Sequence, residues 1–389
     1  MKFEAIFISG TRCAGKSTLV DHLLKSSDEF ALVKAATTRP KREEADDVNY
    51  NIVSDSEFEA KVFFIKTKYG DYQYGIEETE IKEIMQANKV PILIVSPESF
   101  SKIKQEVNQF FISFFLDADD EQLAARLKLN RAADDAQLKV EGKQRAIDRS
   151  HKKKFTYRIN NSFDSFETDL CELVLRAWYT RHSGGLLPMG MIKLLIKFEV
   201  LLKDASENNI STASYDLSLG DEYYYTGKIE TLTDKNPFIL IEPYDYAIAT
   251  SKEYAKLPNN VSGKFDLKIG LFCQGVILSN GPQVDPGFEG KLFCLLFNTS
   301  NSPIAIKRGE HYATIEFHKL SEQAEGYDGK YQSKSSIVDY LPSNTLQGGL
   351  NELKKEVEKL KNESARLQGV ILSIFSILLA IIALFRALN

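Results

Sequence analysis

Residues 10–18 read G-T-R-C-A-G-K-S-T and fit the pattern G-x-x-x-x-G-K-[ST], which is typical of a phosphate-binding loop. An apolar run, 5–9, precedes this stretch, and apolar residues at helical spacing follow it. A strand, a glycine loop and a helix start present backbone N–H groups to an anion. The sequence therefore predicts a nucleotide-binding loop made of Gly10, Thr11, Arg12, Cys13, Ala14, Gly15, Lys16, Ser17 and Thr18.

Two side chains of this loop have specific expected roles. Lys16 would reach the β and γ phosphates of a nucleotide, and the hydroxyl of Ser17 would hold Mg²⁺. A chance match is the alternative, since the pattern uses only common residue types. The flanking strand and helix favour phosphate binding, but they do not decide whether phosphate is transferred.

Composition excludes several other classes of protein. The chain has 389 residues, enough for two or three domains, and a net charge of −5, which argues against a nucleic-acid partner. Its four cysteines are scattered singly, without C-x-x-C pairs. This pattern favours a reducing cytosol and argues against a disulfide framework.

Residues 1–182 alternate strand-like and helix-like segments. The predicted buried strands are 3–9, 62–66, 90–95 and 110–116. The predicted helices are 19–24, 79–87, 99–107, 120–129 and 164–178. Such alternation indicates a parallel sheet with helices on both faces.

A second anion-binding pattern follows the loop. Residues 36–44 read A-T-T-R-P-K-R-E-E, and Y-G-D-Y-Q-Y-G stands at 69–75. Guanidinium groups three residues apart suit a phosphate group. With the loop, these motifs resemble guanylate kinases over roughly residues 3–180. The resemblance implies ATP and Mg²⁺ as cofactors and a monophosphate acceptor held by Arg39, Arg42, Tyr50, Tyr72 and Tyr74.

Three departures from guanylate kinases leave the acceptor open. Lys66 stands where those kinases place a glutamate that reads guanine, and the connection before Tyr50 is one residue shorter. Residues 90–96 (V-P-I-L-I-V-S) lack an acidic residue, and this feature looks more like the ribose 1,5-bisphosphate kinases. The acceptor is therefore expected to be a nucleoside or a sugar monophosphate.

Phosphoryl transfer requires positive charge around the migrating group. By the same resemblance, arginines from the lid region would supply it, and a solvated helix face is the alternative for them. The catalytic candidates are Lys16, Arg126, Arg131 and Arg145, with Arg149 beside them.

Residues 189–320 differ in composition, because short aromatic and β-branched runs alternate with Gly, Pro and Asn turns. This pattern predicts an all-β domain. The stretches S-Y-D-L-S-L-G at 214–220 and V-D-P-G-F-E-G at 284–290 resemble the dCTP deaminase/dUTPase family. The resemblance implies a distorted jelly roll, a homotrimer with nucleotide sites between subunits, and Asp216 and Asp285 as candidate site residues.

The catalytic pattern of that family is incomplete in this sequence. Leu295 stands at the position of the glutamate that deaminases use as acid and base, and residues 263–266 (G-K-F-D) replace the arginine-serine-serine phosphate motif. A purely structural turn residue is the alternative for Asp285. We therefore expect the domain to assemble, or to bind a nucleotide as a sensor, without deamination.

The C-terminal part begins with a polar stretch, 321–347, which predicts a linker. Residues 348–368 continue an apolar seam in steps of three and four, flanked by Glu and Lys, which predicts a coiled coil. A single amphipathic helix packed on the body is the alternative. The seam residues are Leu346, Leu350, Leu353, Val357, Leu360, Ser364 and Leu367.

Residues 369–388 are the predicted transmembrane helix. The segment 369–385 contains no charged residue. It would span about 26 Å, close to a hydrocarbon core of about 30 Å. Basic residues before it, such as Arg366, place the large domains in the cytoplasm by the positive-inside rule. The sequence thus predicts a single-pass C-terminal anchor in a lipid bilayer.

The expected fold is multidomain: an α/β kinase-like parallel sheet, an all-β dUTPase-like domain, a coiled coil and one transmembrane helix. Three functions are compatible with it. The first is a membrane-tethered kinase of a nucleoside or sugar monophosphate. The second is a nucleotide sensor or effector at the membrane, without turnover, which would suit an antiphage or stress response. The third is an active dCTP deaminase or dUTPase, and Leu295 argues against it.

Overall fold

The computed structural model describes residues 3–41, 50–69, 71–103, 111–131, 134–162, 167–281, 283–341 and 350–388. In these ranges the chain forms an α/β domain, a β domain and one long C-terminal helix, in that order. The expected fold class is thereby confirmed for the two domains and for the apolar helix that follows them.

The N-terminal domain places its strands and helices in alternation. Its strands are β1 (Ala5–Gly10), β2 (Phe30–Leu32), β3 (Ala35–Thr37), β4 (Tyr50–Ile52), β5 (Phe63–Tyr69), β6 (Tyr72–Glu77), β7 (Val90–Ile94), β8 (Phe111–Asp117) and β9 (Tyr157–Asn160). Its helices are α1 (Lys16–Ser26), α2 (Asp55–Glu59), α3 (Glu78–Gln86), α4 (Pro97–Ser101), α5 (Asp120–Arg131), α6 (Asp135–Ser150) and α7 (Glu167–Tyr179).

The main sheet has the order β2–β7–β1–β8–β9, and its strand pairs are parallel. Strand β1 lies in the middle and is buried over its whole length, because its run A-I-F-I-S-G can face helices on both sides. The glycine loop therefore leaves the sheet at the end of its central strand. Open α/β sheets bind their ligands at this edge.

A second, smaller sheet has the order β4–β3–β6–β5. The run 62–66, expected as a buried strand, belongs largely to β5 of this sheet and is only half-buried. Phe63 stacks on Phe58 with ring centroids 4.4 Å apart, and Phe64 packs edge-on against Phe3 at 5.3 Å. Helix α6 was not predicted at all, because its charged sequence contains few apolar residues.

The second domain is built mainly from strands. They are β10 (Gly185–Leu186), β11 (Leu202–Lys203), β12 (Ser214–Tyr225), β13 (Lys228–Thr231), β14 (Phe238–Ile241), β15 (Tyr246–Lys256), β16 (Val261–Leu267), β17 (Val276–Ser279), β18 (Glu289–Asn298), β19 (Ile304–Lys307) and β20 (His311–Lys319). Two helices accompany them, α8 (Met189–Lys197) and α9 (Ile269–Cys273). The main sheet runs β10–β20–β12–β15–β18–β17, and β14 pairs separately with β19.

Helix α8 joins the apolar interiors of the two domains. Its sequence, M-G-M-I-K-L-L-I-K, buries Ile192 and Leu195, and the helix packs against α7. Trp178 of α7 and Ile192 of α8 belong to one continuous apolar cluster that extends into both domains. The two domains therefore share a hydrophobic core across their boundary.

A buried ion pair connects the domains next to this core. Arg158, on β9, donates from Nη1 to Glu289 Oε1 at 2.7 Å, and its Nη2 donates to the carbonyl of Leu257. Arg158 is 3% exposed and Glu289 is 8% exposed. Burial lowers the pKa of Arg158, and the charge of Glu289 partly offsets this. Each charge is tolerated away from water only because the other is present.

Polar contacts surround the ion pair. Asn260 Nδ2 donates to Tyr157 Oη at 3.0 Å, and the N–H of Asn160 donates to the carbonyl of Phe198, also at 3.0 Å. Burial raises the pKa of Tyr157 to about 12, so the phenol stays neutral. These bonds fix the edge strand β9 against the β domain.

Two lysines of the β domain lie at the same boundary. Lys319 donates to the hydroxyl of Thr180 at 2.8 Å, and burial lowers its pKa to about 8. The pKa of Lys256 is also lowered to about 8, first by burial and then by the positive charges of Arg158 and Lys152. At neutral pH both ammonium groups are therefore held at an energetic cost.

The strap, defined as residues 321–341, packs along the β domain. Gln332 Nε2 donates to the carbonyl of Gly287 at 2.9 Å, and the N–H of Ser333 donates to the carbonyl of Glu289 at 2.7 Å. Further along, Tyr340 packs its ring against Phe293 with centroids 4.3 Å apart. This stretch is the described part of the predicted linker 321–347, and its polar composition gave no sign of such packing.

Helix α10 (Leu350–Leu388) has 39 residues and is therefore about 58 Å long. It covers most of the predicted coiled coil and the predicted transmembrane segment without interruption. Its side chains are exposed over 355–382, so this part does not pack on the body of its own chain. Among the described helices it is the one long and apolar enough to cross a membrane.

Removal of either member of the Arg158–Glu289 pair should strongly destabilise the protein. We expect Arg158→Met to lower the free energy of unfolding by about 3–5 kcal/mol, because it leaves a buried carboxylate without its partner. The measurement is chemical denaturation of the full chain in detergent. Lys82→Ala, in the exposed pair with Glu78, is the control and should cost less than about 0.5 kcal/mol. Equal effects of the two substitutions would contradict this role.

Stability should depend on pH through Lys256. Its pKa in the folded chain is about 8, whereas the pKa of a lysine in an unfolded chain is about 10.4. The buried charge therefore lowers the free energy of unfolding by its full amount below pH 8. This loss disappears as the pH rises towards the pKa of the unfolded chain. We expect Lys256→Met to raise the melting temperature at pH 7 and to have little effect at pH 10. Lys264→Met, at an exposed position, should change neither value.

Candidate functional site

The glycine loop passes through left-handed backbone conformations between β1 and α1. Gly10 has a φ of 136°, Cys13 of 62° and Gly15 of 95°. An added Cβ at Gly10 would lie 1.9 Å from the carbonyl oxygen of Leu116, so only glycine fits there. Left-handed and right-handed residues in succession form the N–H concavities that bind anions. The backbone geometry therefore supports the phosphate-binding role expected for this loop.

Lys16 and Ser17 begin α1. Lys16 Nζ donates to the carbonyls of Gly10 at 3.0 Å and Thr11 at 2.7 Å, so its ammonium lies over the loop. Ser17 and the next residue, Thr18, are exposed in the first turn of the helix. The N-cap residue is a glycine and has no side chain to cap the first N–H groups. An anionic ligand can take that place.

Asp117, at the end of β8, anchors the loop to the sheet. Its Oδ1 accepts hydrogen bonds from the hydroxyl of Thr11 at 3.0 Å and from the N–H of Ala118 at 2.9 Å. Arg149 donates to both carboxylate oxygens, with Nε 2.8 Å from Oδ2 and Nη2 3.1 Å from Oδ1. Because protein donors already occupy both oxygens of this carboxylate, its role is to hold the loop in place. Arg149 likewise supports the loop from α6.

Asn161 holds the other side of the loop. Its Nδ2 donates to the carbonyl of Ala14 at 2.9 Å, and its N–H donates to the carbonyl of Asp117 at 2.7 Å. Arg126, one of the predicted lid arginines, donates from Nη2 to the carbonyl of Asn161 at 2.9 Å. In this conformation Arg126 supports the turn beside the loop.

Arg145, another predicted lid arginine, is buried rather than part of a solvated helix face. It is 8% exposed, and its Nε and Nη1 atoms have no hydrogen-bond partner among the described residues, although Nε lies 3.3 Å from Asp120 Oδ1. One helical turn earlier, Glu141 binds Arg12 of the loop and leaves its buried Oε2 without a partner. Buried polar atoms without a hydrogen bond are open to a ligand or to ordered water.

The remaining positions around the loop are partly described. Arg131 is the last residue of α5, and its side chain lies outside the described part. Asp148, which the sequence did not suggest, lies near Lys16. Burial raises the pKa of its carboxyl, and the hydrogen bond from Gln144 and the charge of Lys16 partly offset this. Asp117 was also missed, although an acidic residue ending the strand next to the loop's strand could have indicated it.

The predicted acceptor group comes together on the small sheet. The guanidinium carbon of Arg39 lies 5.2 Å from the centroid of the Tyr50 ring, and Tyr50 packs edge-on against Tyr74 at 6.1 Å. Tyr72 is half-buried at the start of β6. Arg42 lies outside the described residues. The structure therefore joins three of the five predicted acceptor residues into one group.

Lys66 projects from the opposite face of this sheet. In the register of β5 with β6, Thr67 is paired with Tyr74, whereas Lys66 is paired with Gly75, and alternate residues face opposite sides. There Lys66 Nζ binds both carboxylate oxygens of Glu59, at 3.0 and 3.1 Å. Lys66, which the resemblance puts at the guanine-reading position, therefore lies apart from the tyrosine pair.

The two candidate aspartates of the β domain are bonded within it. Asp216 accepts hydrogen bonds from Lys268 Nζ and from the hydroxyl of Thr314, both at 2.8 Å. Asp285 Oδ1 accepts a hydrogen bond from Gln283 Nε2 at 2.8 Å at the start of the turn. Both carboxylates thus have hydrogen-bond partners within the domain.

Leu295 is half-buried on β18, where it is paired with Ile248 of β15. A leucine at this position has no group that can accept or donate a proton. The D-P-G-F-E-G turn that precedes this strand is bonded to the strap, as described above.

The residues around the loop fit a nucleotide carrying Mg²⁺. The described part of the chain contains no cluster of three or more His, Cys, Asp or Glu side chains that could hold a metal ion. Magnesium in nucleotide sites commonly takes most of its ligands from phosphate and water, with one or two from the protein. The exposed hydroxyl of Ser17 meets that need, and the unpaired nitrogen atoms of Arg145 suit phosphate oxygens.

Comparison with known proteins identifies two family domains in this chain. The guanylate kinase family matches residues 2–176, and the dCTP deaminase-like family matches residues 187–320. A dCTP deaminase from Pyrococcus horikoshii is 35% identical over 144 residues, which cover 37% of this chain and 91% of that protein. The chain belongs to the dCTP deaminase-like family, with a guanylate kinase domain in front of it. Both resemblances found in the sequence are confirmed.

Solved structures match each domain at lower similarity. A guanylate kinase from Anaplasma phagocytophilum is 20% identical, with a TM-score of 0.35 over 46% of this chain and 86% of that chain. A 2'-deoxycytidine 5'-triphosphate deaminase from Agrobacterium tumefaciens is 20% identical, with a TM-score of 0.32 over 35% of this chain. The match spans about half the length of that deaminase, 49%.

Arg145 should lower the stability of the free protein and strengthen its binding of a nucleotide. We expect Arg145→Met to raise the free energy of unfolding without ligand by about 1–3 kcal/mol, because it removes buried unpaired donors. The same substitution should weaken ATP–Mg²⁺ binding about tenfold or more, since a charged phosphate contact is lost. Chemical denaturation and calorimetric titration measure the two effects. Arg176→Met, in an exposed pair with Glu172, should change neither, and a loss of stability in R145M would overturn the assignment.

Proposed function

We propose that the N-terminal domain is an ATP- and Mg²⁺-dependent, kinase-like phosphotransferase that acts on a nucleoside or sugar monophosphate. The observation that carries this proposal is the buried, partly unpaired guanidinium of Arg145 on the helix that also binds the loop. Such a group is stabilised when an anion comes to it. The match of residues 2–176 to the guanylate kinase family supports the same reaction class.

Each residue group has a defined part in this reaction. The loop N–H groups and Lys16 would bind the β and γ phosphates, and Ser17 would hold the metal ion. Bound Mg²⁺ neutralises charge on the phosphates. Arg145, with Arg126 and Arg131, would stabilise the charge of the migrating group. Arg39 with Arg42, Tyr50, Tyr72 and Tyr74 would orient the acceptor phosphate.

The acceptor is proposed to be something other than a guanine nucleotide. Lys66, at the guanine-reading position, binds Glu59 on the opposite face from Tyr50 and Tyr74. Specificity would then come from the phosphate contacts of Arg39 and from the shape of the tyrosine pair. A sugar phosphate needs no base-reading side chain, which is why it stays among the candidates.

The other parts of the chain would place this activity at a membrane. Helix α10 supports a single-pass C-terminal anchor, with the two large domains in the cytoplasm. The β domain would supply a homotrimeric platform, in keeping with its family, and a regulatory nucleotide site near Asp285. Nucleic acid is not an expected partner.

A nucleotide sensor without turnover is the second candidate. It is favoured by Leu295, which cannot move a proton, and by the strap bonded to the neighbouring turn. In this reading, nucleotide binding would be signalled to the membrane helix. This candidate requires that a nucleotide changes the permeability of membranes that contain the full chain. The change should be lost when residues 369–388 are removed.

Transfer by the full chain tests the first proposal. We expect Lys16→Ala to reduce phosphoryl transfer from ATP to a panel of nucleoside and sugar monophosphates by about 100-fold or more, because it removes the charge over the loop. Lys25→Ala, exposed on the same helix, is the matched control and should keep full activity.

Three results would separate the candidates. ATP–Mg²⁺ binding without transfer to any acceptor would refute the kinase and leave the sensor. If K16A keeps both ATP–Mg²⁺ binding and phosphoryl transfer, the loop is not the site. Release of ammonia from dCTP would establish deamination in spite of Leu295.

A further inference from the structure

The exposed surface of α10 carries a regular apolar seam. Its residues follow each other in steps of three and four, and the steps continue unchanged from the charged half of the helix into the apolar half. They are therefore a and d positions of one heptad register. Each is exposed in the single chain. The seam consists of Val357, Leu360, Ser364, Leu367, Ile371, Ile374, Leu378 and Ile381.

The charges beside the seam define the orientation of a partner. In this register the g positions are Glu356 and Glu363, and the e positions are Lys354 and Lys361. In a parallel pair of helices, a g residue faces the e residue of the next heptad in its partner, so Glu356 meets Lys361. In an antiparallel pair, g faces g and e faces e, which would place like charges together. The helix is therefore complementary to a parallel copy of itself.

We propose that α10 docks on further copies of this chain, parallel and in register, along the whole seam. The apolar half is compatible with the same register. Ser373 and Ser376 lie outside the seam, and their hydroxyls donate to the carbonyls of Gly369 and Leu372 at 2.9 Å. Because these hydroxyls are satisfied within the helix, they can face lipid while the seam stays apolar. The docking requires no phosphoryl transfer, so it stands or fails separately from the proposed reaction.

Disulfide linking of the full chain in detergent micelles tests the register. The background carries Cys273→Ser, because Cys273 is exposed. We expect Leu360→Cys and Leu367→Cys, both at d positions, to form linked dimers about tenfold faster than Asn362→Cys at an outward f position. An antiparallel pair could link only one of the two d positions. Equal rates at 360 and 362 would overturn the docking, and linking at 360 or 367 alone would overturn the parallel register.

Charge exchange tests the partner chemistry. Glu356→Lys with Glu363→Lys makes all four charged e and g positions basic, and this should slow linking through Leu360→Cys several-fold. Adding Lys354→Glu and Lys361→Glu should restore the rate, because the g-to-e pair between positions 356 and 361 is re-formed with opposite polarity. Helical content by circular dichroism confirms that each variant keeps α10. Linking that is unchanged in the basic variant, or not restored in the exchanged one, would refute the self-complementary surface.

Discussion

One desolvated ion pair, Arg158 with Glu289, ties the two domains together beside their shared apolar core. The residues are 131 positions apart in the chain, and neither charge can stay buried without the other. Arg158 belongs to the edge strand of the parallel sheet, whereas Glu289 begins a strand of the β domain. Glu289 also holds the strap through its backbone carbonyl. The pair therefore fixes three parts of the chain in one arrangement.

The carboxyl end of β9 extends this arrangement to the glycine loop. Asn160 donates to the carbonyl of Phe198 in the β domain, and Asn161 donates to the carbonyl of Ala14 in the loop. Two adjacent residues thus connect the β domain with the glycine loop. A ligand can change the relation between the domains only if it binds two states of this junction with different affinity. The junction is the place where such a difference would arise.

Local patterns revealed more of this molecule than distant contacts did. The loop at Gly10–Thr18 was predictable because a strand, glycines and a helix start lie within one short stretch. Arg145 could be named from the family pattern, but its burial depends on how α6 packs beside the loop. No local sequence pattern around Arg158 or Glu289 predicted their ion pair. Lys66 was singled out by its position along the chain, but the face of the sheet on which it lies depends on the register between β5 and β6.

Two buried arginines show how stability and function divide in this chain. Arg158 has a carboxylate and a carbonyl as partners, so its burial is compensated by the protein itself. Arg145 is also buried and lies beside the exposed carboxylate of Asp120, but its Nε and Nη1 atoms have no hydrogen-bond partner in the described residues. A folded chain keeps such a cost only where something else relieves it. An arginine at the domain boundary thus acts as a structural tie, whereas Arg145 beside the loop is proposed to receive negative charge from a ligand.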